Sequence, residues 1–184
     1  GKLFLNAGPG YGGSCLPKDM SALINFGGNV GADTTFLKAV KKTNDDQINN
    51  IVSLMKKKLG NISGKKITIL GTAFKPNTDD IRDSKSIELI KKLLKNKMKI
   101  SVYDPKALEN TKKIFGDKII YSKSLLSSLE KSYGVIIMTQ WKQFESINNK
   151  SLKCMKNRLI IDSRRMLTRK ELNGEYYAIG IGRE

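Results

Sequence analysis

Apolar positions along the chain fall into two regimes. From Leu16 to Leu59 they recur three or four residues apart, and from Ser63 onward they gather in short continuous runs. The first regime is helical periodicity. LPKDMSALINF predicts a short helix over Leu16–Phe26, with Pro17 as its first residue because its missing N–H is not needed there. FGGNVGAD reads as a break. Asp33 suits the N-cap of a long helix running to Leu59, and Gly60 closes it. The stripe of that helix is Phe36, Leu37, Val40, Ile48, Ile51, Val52, Met55 and Leu59. A polar gap at Thr43 to Gln47 predicts that the stripe is not buried evenly along its length.

The second regime predicts strands at Lys66–Leu70, Lys99–Asp104, Lys118–Tyr121, Gly134–Thr139, Arg158–Ser163 and Tyr176–Gly182. Ile87, Ile90, Leu93 and Leu94 give a helical stripe between the first two. Continuous apolar strands alternating with helices indicate a parallel sheet covered on both faces. The fold class is therefore α/β: a C-terminal Rossmann-like, doubly wound parallel sheet over residues 61–184, preceded by a helical central segment over residues 1–60. The turn after the first strand, GTAFKPN, lacks the Gly-x-Gly-x-x-Gly of a dinucleotide site. Asp104, before a proline at a strand end, reads as a turn and helix start rather than a ribose ligand.

Hydrophobic content of 39% suffices for a core, and no apolar run approaches the ~20 residues of a membrane span. The opening GKLFLNAGPG carries no signal-peptide pattern. Two cysteines, Cys15 and Cys154, lie far apart without metal or disulfide spacing, and a reducing cytoplasm is the expected setting. Cys154 reads as structural. The net charge of +17 raises a nucleic-acid reading. Against it, the lysines of KKTNDDQ, MKKKLG and IKKLLKNKMK fall on the polar sides of amphipathic patterns, with no interleaved aromatics. They describe a solvated surface that also favours an anionic small ligand.

The chain has no histidine, which excludes Cys-His and Ser-His-Asp catalysis and His-ligated metal sites. Yet GPGYGGSCLPKD, Gly8 to Asp19, sets Cys15 just before a helix start, where the dipole and free N–H groups favour a thiolate and Lys18 adds positive charge. The glycines let a ligand approach the backbone. Asp19 also suits a first-turn acid.

Those twelve residues resemble the catalytic cysteine loop of the nucleotide-sugar 6-dehydrogenases, the UDP-glucose/GDP-mannose dehydrogenase family. LGTAFKPNTDDIRDS (Leu70–Ser84) and IIDSRRML (Ile160–Leu167) resemble that family's other two blocks, in the same order. The resemblance implies a twofold NAD-dependent oxidation of a sugar's primary alcohol, without a metal. A cysteine passes through a thiohemiacetal and a thioester, a task suited to a thiol that adds to carbonyls and leaves well. By motif position, Cys15 is the nucleophile and Asp19 orients the hydrolytic water. Phe4, Leu5, Asn6, Tyr11 and Gly12 wrap the sugar nucleotide, and Asn6 stands where the family often carries lysine. Phe74, Lys75 and Arg164 contact substrate, while Arg165 points elsewhere. Lys18 and Arg82 reach the NAD pyrophosphate, Arg82 through its fork of donors. For Arg82, flanked by Asp79, Asp80 and Asp83, a local salt-bridged turn is the alternative. NAD itself is expected to bind mainly to an N-terminal domain absent from this sequence, together with further catalytic groups. The long helix is expected to join two subunits. UDP-glucose is the expected substrate, with GDP-mannose and UDP-N-acetylhexosamines as alternatives. A basic nucleotide- or nucleic-acid-binding module without catalysis, or a dimerisation fragment with an inert cysteine, are the readings outside this class.

Overall fold

The computed structural model of the protein describes residues 5–181, so Phe4 lies outside the described residues. Two helices open the chain. Helix α1 spans Leu16–Asn29 with Cys15 at its N-cap, so the helix begins one residue earlier than the proline suggests and Pro17 is its second residue. It also runs through Phe26–Gly28, which the sequence reads as a break. Gly27 lies against Thr34, where a Cβ would come within 2.5 Å of the threonine methyl, and Ala32 N–H donates to the Gly27 carbonyl at 2.8 Å. This corner holds the helix end in place despite the poor helix propensity of glycine. The chain then turns at Gly31, whose φ of +75° suits glycine.

Helix α2 spans Thr35–Leu59, with Thr34 rather than Asp33 at the N-cap position. Asp33 nonetheless serves this end: its Oδ1 accepts from Thr35 N–H at 2.8 Å, and the Thr35 side chain together with that backbone bond holds its carboxyl below the usual range. Burial of α2 is uneven. Phe36 is 77% exposed, whereas Ile48, Ile51, Met55 and Leu59 are buried.

A six-stranded parallel sheet follows, in the order β3-β2-β1-β4-β5-β6. The strands are β1 (Lys66–Leu70), β2 (Lys99–Tyr103), β3 (Ile120–Tyr121), β4 (Gly134–Ile137), β5 (Leu159–Asp162) and β6 (Glu175–Ala178). This is the doubly wound order, with its switch point between β1 and β4. Helices α3 (Lys85–Lys95), α4 (Leu108–Phe115) and α5 (Leu125–Leu129) connect the first four strands. β3 begins at Ile120 because Gly116–Lys118 forms a 3-10 turn, and β6 runs from Glu175 to Ala178 rather than from Tyr176 to Gly182.

Strand side chains alternate between two cores. Ile67, Ile69, Ile100, Val102, Ile136 and Ile161 pack with α3 and with the C-terminal half of α2. Leu70, Val135, Ile137 and Ile160 pack with Leu129, Trp141, Phe144 and Leu152 on the opposite face. Coverage on both faces explains why the strands read as continuous apolar runs. Each large side chain so buried contributes about 1.5–3 kcal/mol relative to exposure. The exceptions inside are satisfied: Thr68 Oγ1 donates to the Ser128 carbonyl at 2.5 Å. Among the described residues no helix is long and apolar enough to cross a membrane.

Candidate functional site

Open α/β sheets present ligands to the carboxyl ends of their strands at the switch point. Here the loop carrying Cys15 lies over that edge. Gly10 and Gly12 of the loop face Phe74 after β1, Ser84 and Lys85 at the start of α3, Met138 after β4 and Arg164 after β5. Together they line a narrow slot of about 10 Å³, room for little more than a water molecule.

The loop is fastened to that edge by close backbone approach. Gly13 N–H donates to the Arg82 carbonyl at 3.1 Å, and the glycine's φ of +85° brings it so near Phe74 that a Cβ would sit 2.7 Å from the ring. At Gly8 a Cβ would meet Nη1 of Arg164 at 2.5 Å. Segments from four distant parts of the sequence thus converge on one slot.

Arg164 is the most perturbed cation here. Its Nε donates to the Met138 carbonyl at 2.7 Å, and its own N–H donates to Asp162 Oδ1 at 3.0 Å. Desolvation pushes its pKa down to about 10, which still leaves it charged at neutral pH. Among the described residues no carboxylate pairs with its guanidinium. Arg165 points away, donating from Nε to the Ile179 carbonyl at 2.8 Å.

Cys15 is exposed, with the Ser14 hydroxyl 3.6 Å from Sγ. Asp19 N–H donates to the Cys15 carbonyl at 2.8 Å, so both residues lie on the first turn of α1. Lys18 lines a second, open cavity of about 290 Å³ between α1 and α2, shared with Tyr11, Ser21, Lys41, Asn44, Asp45 and Asp83. Arg82 is 70% exposed on its side chain and doubly bonded to Asp80, at 2.6 Å and 3.0 Å. That pair lifts the Arg82 pKa and lowers that of Asp80, and Cys15 acts on Arg82 in the same direction. The local salt-bridged turn therefore exists.

Other sequence candidates lie off the slot. Leu5 is 84% exposed and Asn6 is exposed, so neither packs as core. Lys75 is exposed, with Nζ 5.4 Å from the Phe74 ring centre, and does not line the slot. The Tyr11 side chain lines the cavity between the helices, and among the described residues its buried hydroxyl has no hydrogen-bond partner. Cys154 is exposed in a 3-10 turn, its thiol donating to the Ser151 carbonyl. Burial raises its pKa. Asp104 is structural: it accepts from Thr72 and Ala73 N–H at 2.7 and 3.1 Å, from Lys106 and Ala107 N–H, and from Trp141 Nε1. The first-turn N–H groups that would cradle a pyrophosphate are thereby occupied, so this sheet's first turn does not fit a dinucleotide.

Lys85 and Asn44 do not stand out in the sequence. Lys85, only 12% exposed on its side chain, spans Glu88 at 3.1 Å and Asp45 at 3.8 Å beside Gly10. Asn44 had one available signal, a polar residue one turn before Ile48 on an otherwise apolar stripe.

A doubly wound parallel sheet whose carboxyl edge is closed by a cysteine loop and an unpaired arginine defines a Rossmann-like α/β protein with an anion-ready edge. The chain belongs to the UDP-glucose/GDP-mannose dehydrogenase family: residues 68–169 match its UDP-binding domain and residues 1–46 its central domain. It is 39% identical, over 98% of its length, to proteins named UDP-glucose 6-dehydrogenase from Rickettsia conorii and Bacillus subtilis. It spans 43% and 42% of those two relatives. A UDP-glucose dehydrogenase from Pyrobaculum islandicum matches in structure with a TM-score of 0.89 and 34% identity, over 99% of this chain and 40% of that one.

Proposed function

We propose that this chain is the cysteine-loop and UDP-sugar-binding part of an NAD-dependent nucleotide-sugar 6-dehydrogenase that oxidises UDP-glucose to UDP-glucuronate. The observation that carries this is Arg164. A desolvated guanidinium without a carboxylate partner among the described residues, set at the carboxyl edge under a glycine loop, awaits an anion. A diphosphate is that anion, received by Arg164 with Gly12 and Phe74 as walls. Leu5 and Asn6, both exposed, close over the nucleotide, and Lys75 approaches from outside the slot. The slot's present width requires the loop to move aside for the ligand. The names of its relatives favour UDP-glucose over GDP-mannose.

Cys15 then meets the C6 aldehyde of the half-oxidised sugar. Its sulfur bonds C6 while the carbonyl oxygen takes a proton, giving a thiohemiacetal. Loss of the C6 hydrogen as hydride, with the hydroxyl proton released to solvent, turns this into a thioester. Water, oriented by Asp19, adds to the thioester carbon, and the C–S bond breaks to release carboxylate and thiolate. NAD, when bound, accepts the hydrides of both oxidations. Lys18 and Arg82, exposed on the Cys15 side, suit its pyrophosphate, and the rest of its site belongs to parts of the enzyme outside this sequence. Two copies pair through α1, α2 and the turn joining them, where Leu23, Phe26, Val30 and Phe36 are exposed.

Titration calorimetry of the 184-residue protein tests this. UDP-glucose is expected to bind more tightly than GDP-mannose and far more tightly than an RNA oligonucleotide of similar charge. Mixing the protein with UDP-glucose and NAD is expected to yield no NADH, since the hydride acceptor's main site lies elsewhere. Binding of RNA with no response to any nucleotide sugar would replace this function with a polyanion-binding one.

A further inference from the structure

Asn44 sits in the polar gap of the α2 stripe, 7% exposed, and the function proposed above gives it no task. Its amide grips the backbone of Tyr11 in both directions. Oδ1 accepts from Tyr11 N–H at 2.7 Å, and Nδ2 donates to the Tyr11 carbonyl at 3.3 Å. This two-way pairing is what one strand gives another, here supplied by a single side chain. A primary amide carries the donor and acceptor it needs, and a carboxylate or a hydrocarbon does not. The neighbouring backbone is shaped to the same amide: a Cβ at Gly10 would come 2.6 Å from Oδ1. On one side of Tyr11 the loop reaches Gly8, against Arg164. On the other it reaches Gly12 at the slot and Gly13 against Phe74. The clamp therefore grips the loop midway between its two docking points.

We propose that Asn44 is a positioning residue for the cysteine loop. By fixing Tyr11 to α2, it sets where Gly8, Gly12 and Cys15 stand relative to the carboxyl edge of the sheet. Its consequence for sugar-nucleotide binding rests on the function proposed above, whereas the clamp itself does not. The charged groups around it are Lys41 and Asp45 on α2, Lys18 on α1, Asp83 before α3, and Lys85 on α3 beside Gly10.

Amide hydrogen exchange over residues 8–15, compared with exchange in β1 and β4, tests the clamp. Asn44→Leu is expected to speed exchange of the loop about tenfold, the effect of losing a hydrogen bond, while the strands keep wild-type protection. Asn44→Asp discriminates further. At pH 7 its carboxylate cannot donate to the Tyr11 carbonyl, so the loop exchanges as in Asn44→Leu. Near the ordinary aspartate pKa of about 3.9 the protonated acid both accepts and donates, and protection returns toward wild type. Wild-type and Asn44→Leu proteins measured at each pH cancel the intrinsic exchange chemistry and every pH effect that does not depend on residue 44. A residue that merely fills space gives no such step. Gly10→Ala, which crowds the amide without removing it, is expected to loosen the same segment and serves if Asn44→Leu does not fold. Loop exchange unchanged in these variants, or an Asp variant without recovery in acid, overturns the proposal. UDP-glucose titrated into the same samples separates the two claims. A wild-type protein that fails to bind it refutes the proposed function, while the exchange data still decide the clamp.

Discussion

Arg164 concentrates the residue-scale physics of this edge. Its charge is desolvated and bonded to a neutral carbonyl rather than to a carboxylate, an arrangement that costs stability until an anion arrives. Replacing it with leucine removes that cost together with the means of binding. Arg164→Leu is therefore expected to weaken UDP-glucose by about ten- to a hundredfold, the worth of a charged hydrogen bond, without lowering the melting temperature. Calorimetry and a thermal melt on the same preparation check both halves. Unchanged affinity with a sharply lowered melting point would make Arg164 a strut. At this scale the placements of Cys15 and Asp19 at the start of α1 and of Arg164 after a strand were legible from local pattern, while the roles given to them are proposals. Asn44 and Lys85 were not, because their importance lies in what they touch. Asn44 meets Tyr11 and Lys85 passes under Gly10 only after the loop has folded back on α2 and α3.

The long helix divides into halves with different jobs. Past Ile48 it is part of the sheet's core, whereas before Val40 it shows Phe36 to solvent beside α1, which buries only Gly27. Leu23, Phe26, Val30 and Phe36 are each exposed in this part of the chain, and large exposed apolar side chains are what an interface would cover. With both phenylalanines replaced by lysine, the protein is expected to run as a monomer in light scattering where the wild type runs as a dimer. Nucleotide-sugar binding is expected to survive, since neither residue lines the slot. A wild type that is monomeric at tens of micromolar would refute the pairing. The sequence predicted these elements well in their middles and less well at their ends. Strand centres announced themselves through burial on both faces. The extension of α1 through Phe26–Gly28 depends on Gly27 packing against Thr34, a contact between helices that no local pattern encodes.

At the scale of the whole molecule the sheet separates two edges. Lys66, Lys99, Lys131 and Lys156 gather where strands begin, while Arg164, Phe74 and the cysteine loop gather where they end. Alternating runs revealed the α/β class, but strand order and the docking of the opening loop on the far edge depend on contacts between residues distant in sequence. The two edges give rival accounts of the +17 charge different signatures. A ligand held at the carboxyl edge protects the segments it bridges, because it ties the shifted loop to the sheet and disfavours every arrangement in which the two part. Saturating UDP-glucose is expected to slow amide exchange in residues 8–14, 72–75 and 163–165 together, leaving the starts of β1, β2 and β4 unaltered. Raising salt should weaken that protection only modestly, since a half-buried arginine is screened less than surface lysines. Protection that appeared instead around Lys66, Lys99 and Lys131, and vanished in moderate salt, would assign the charge to a polyanion surface and separate it from the cysteine loop.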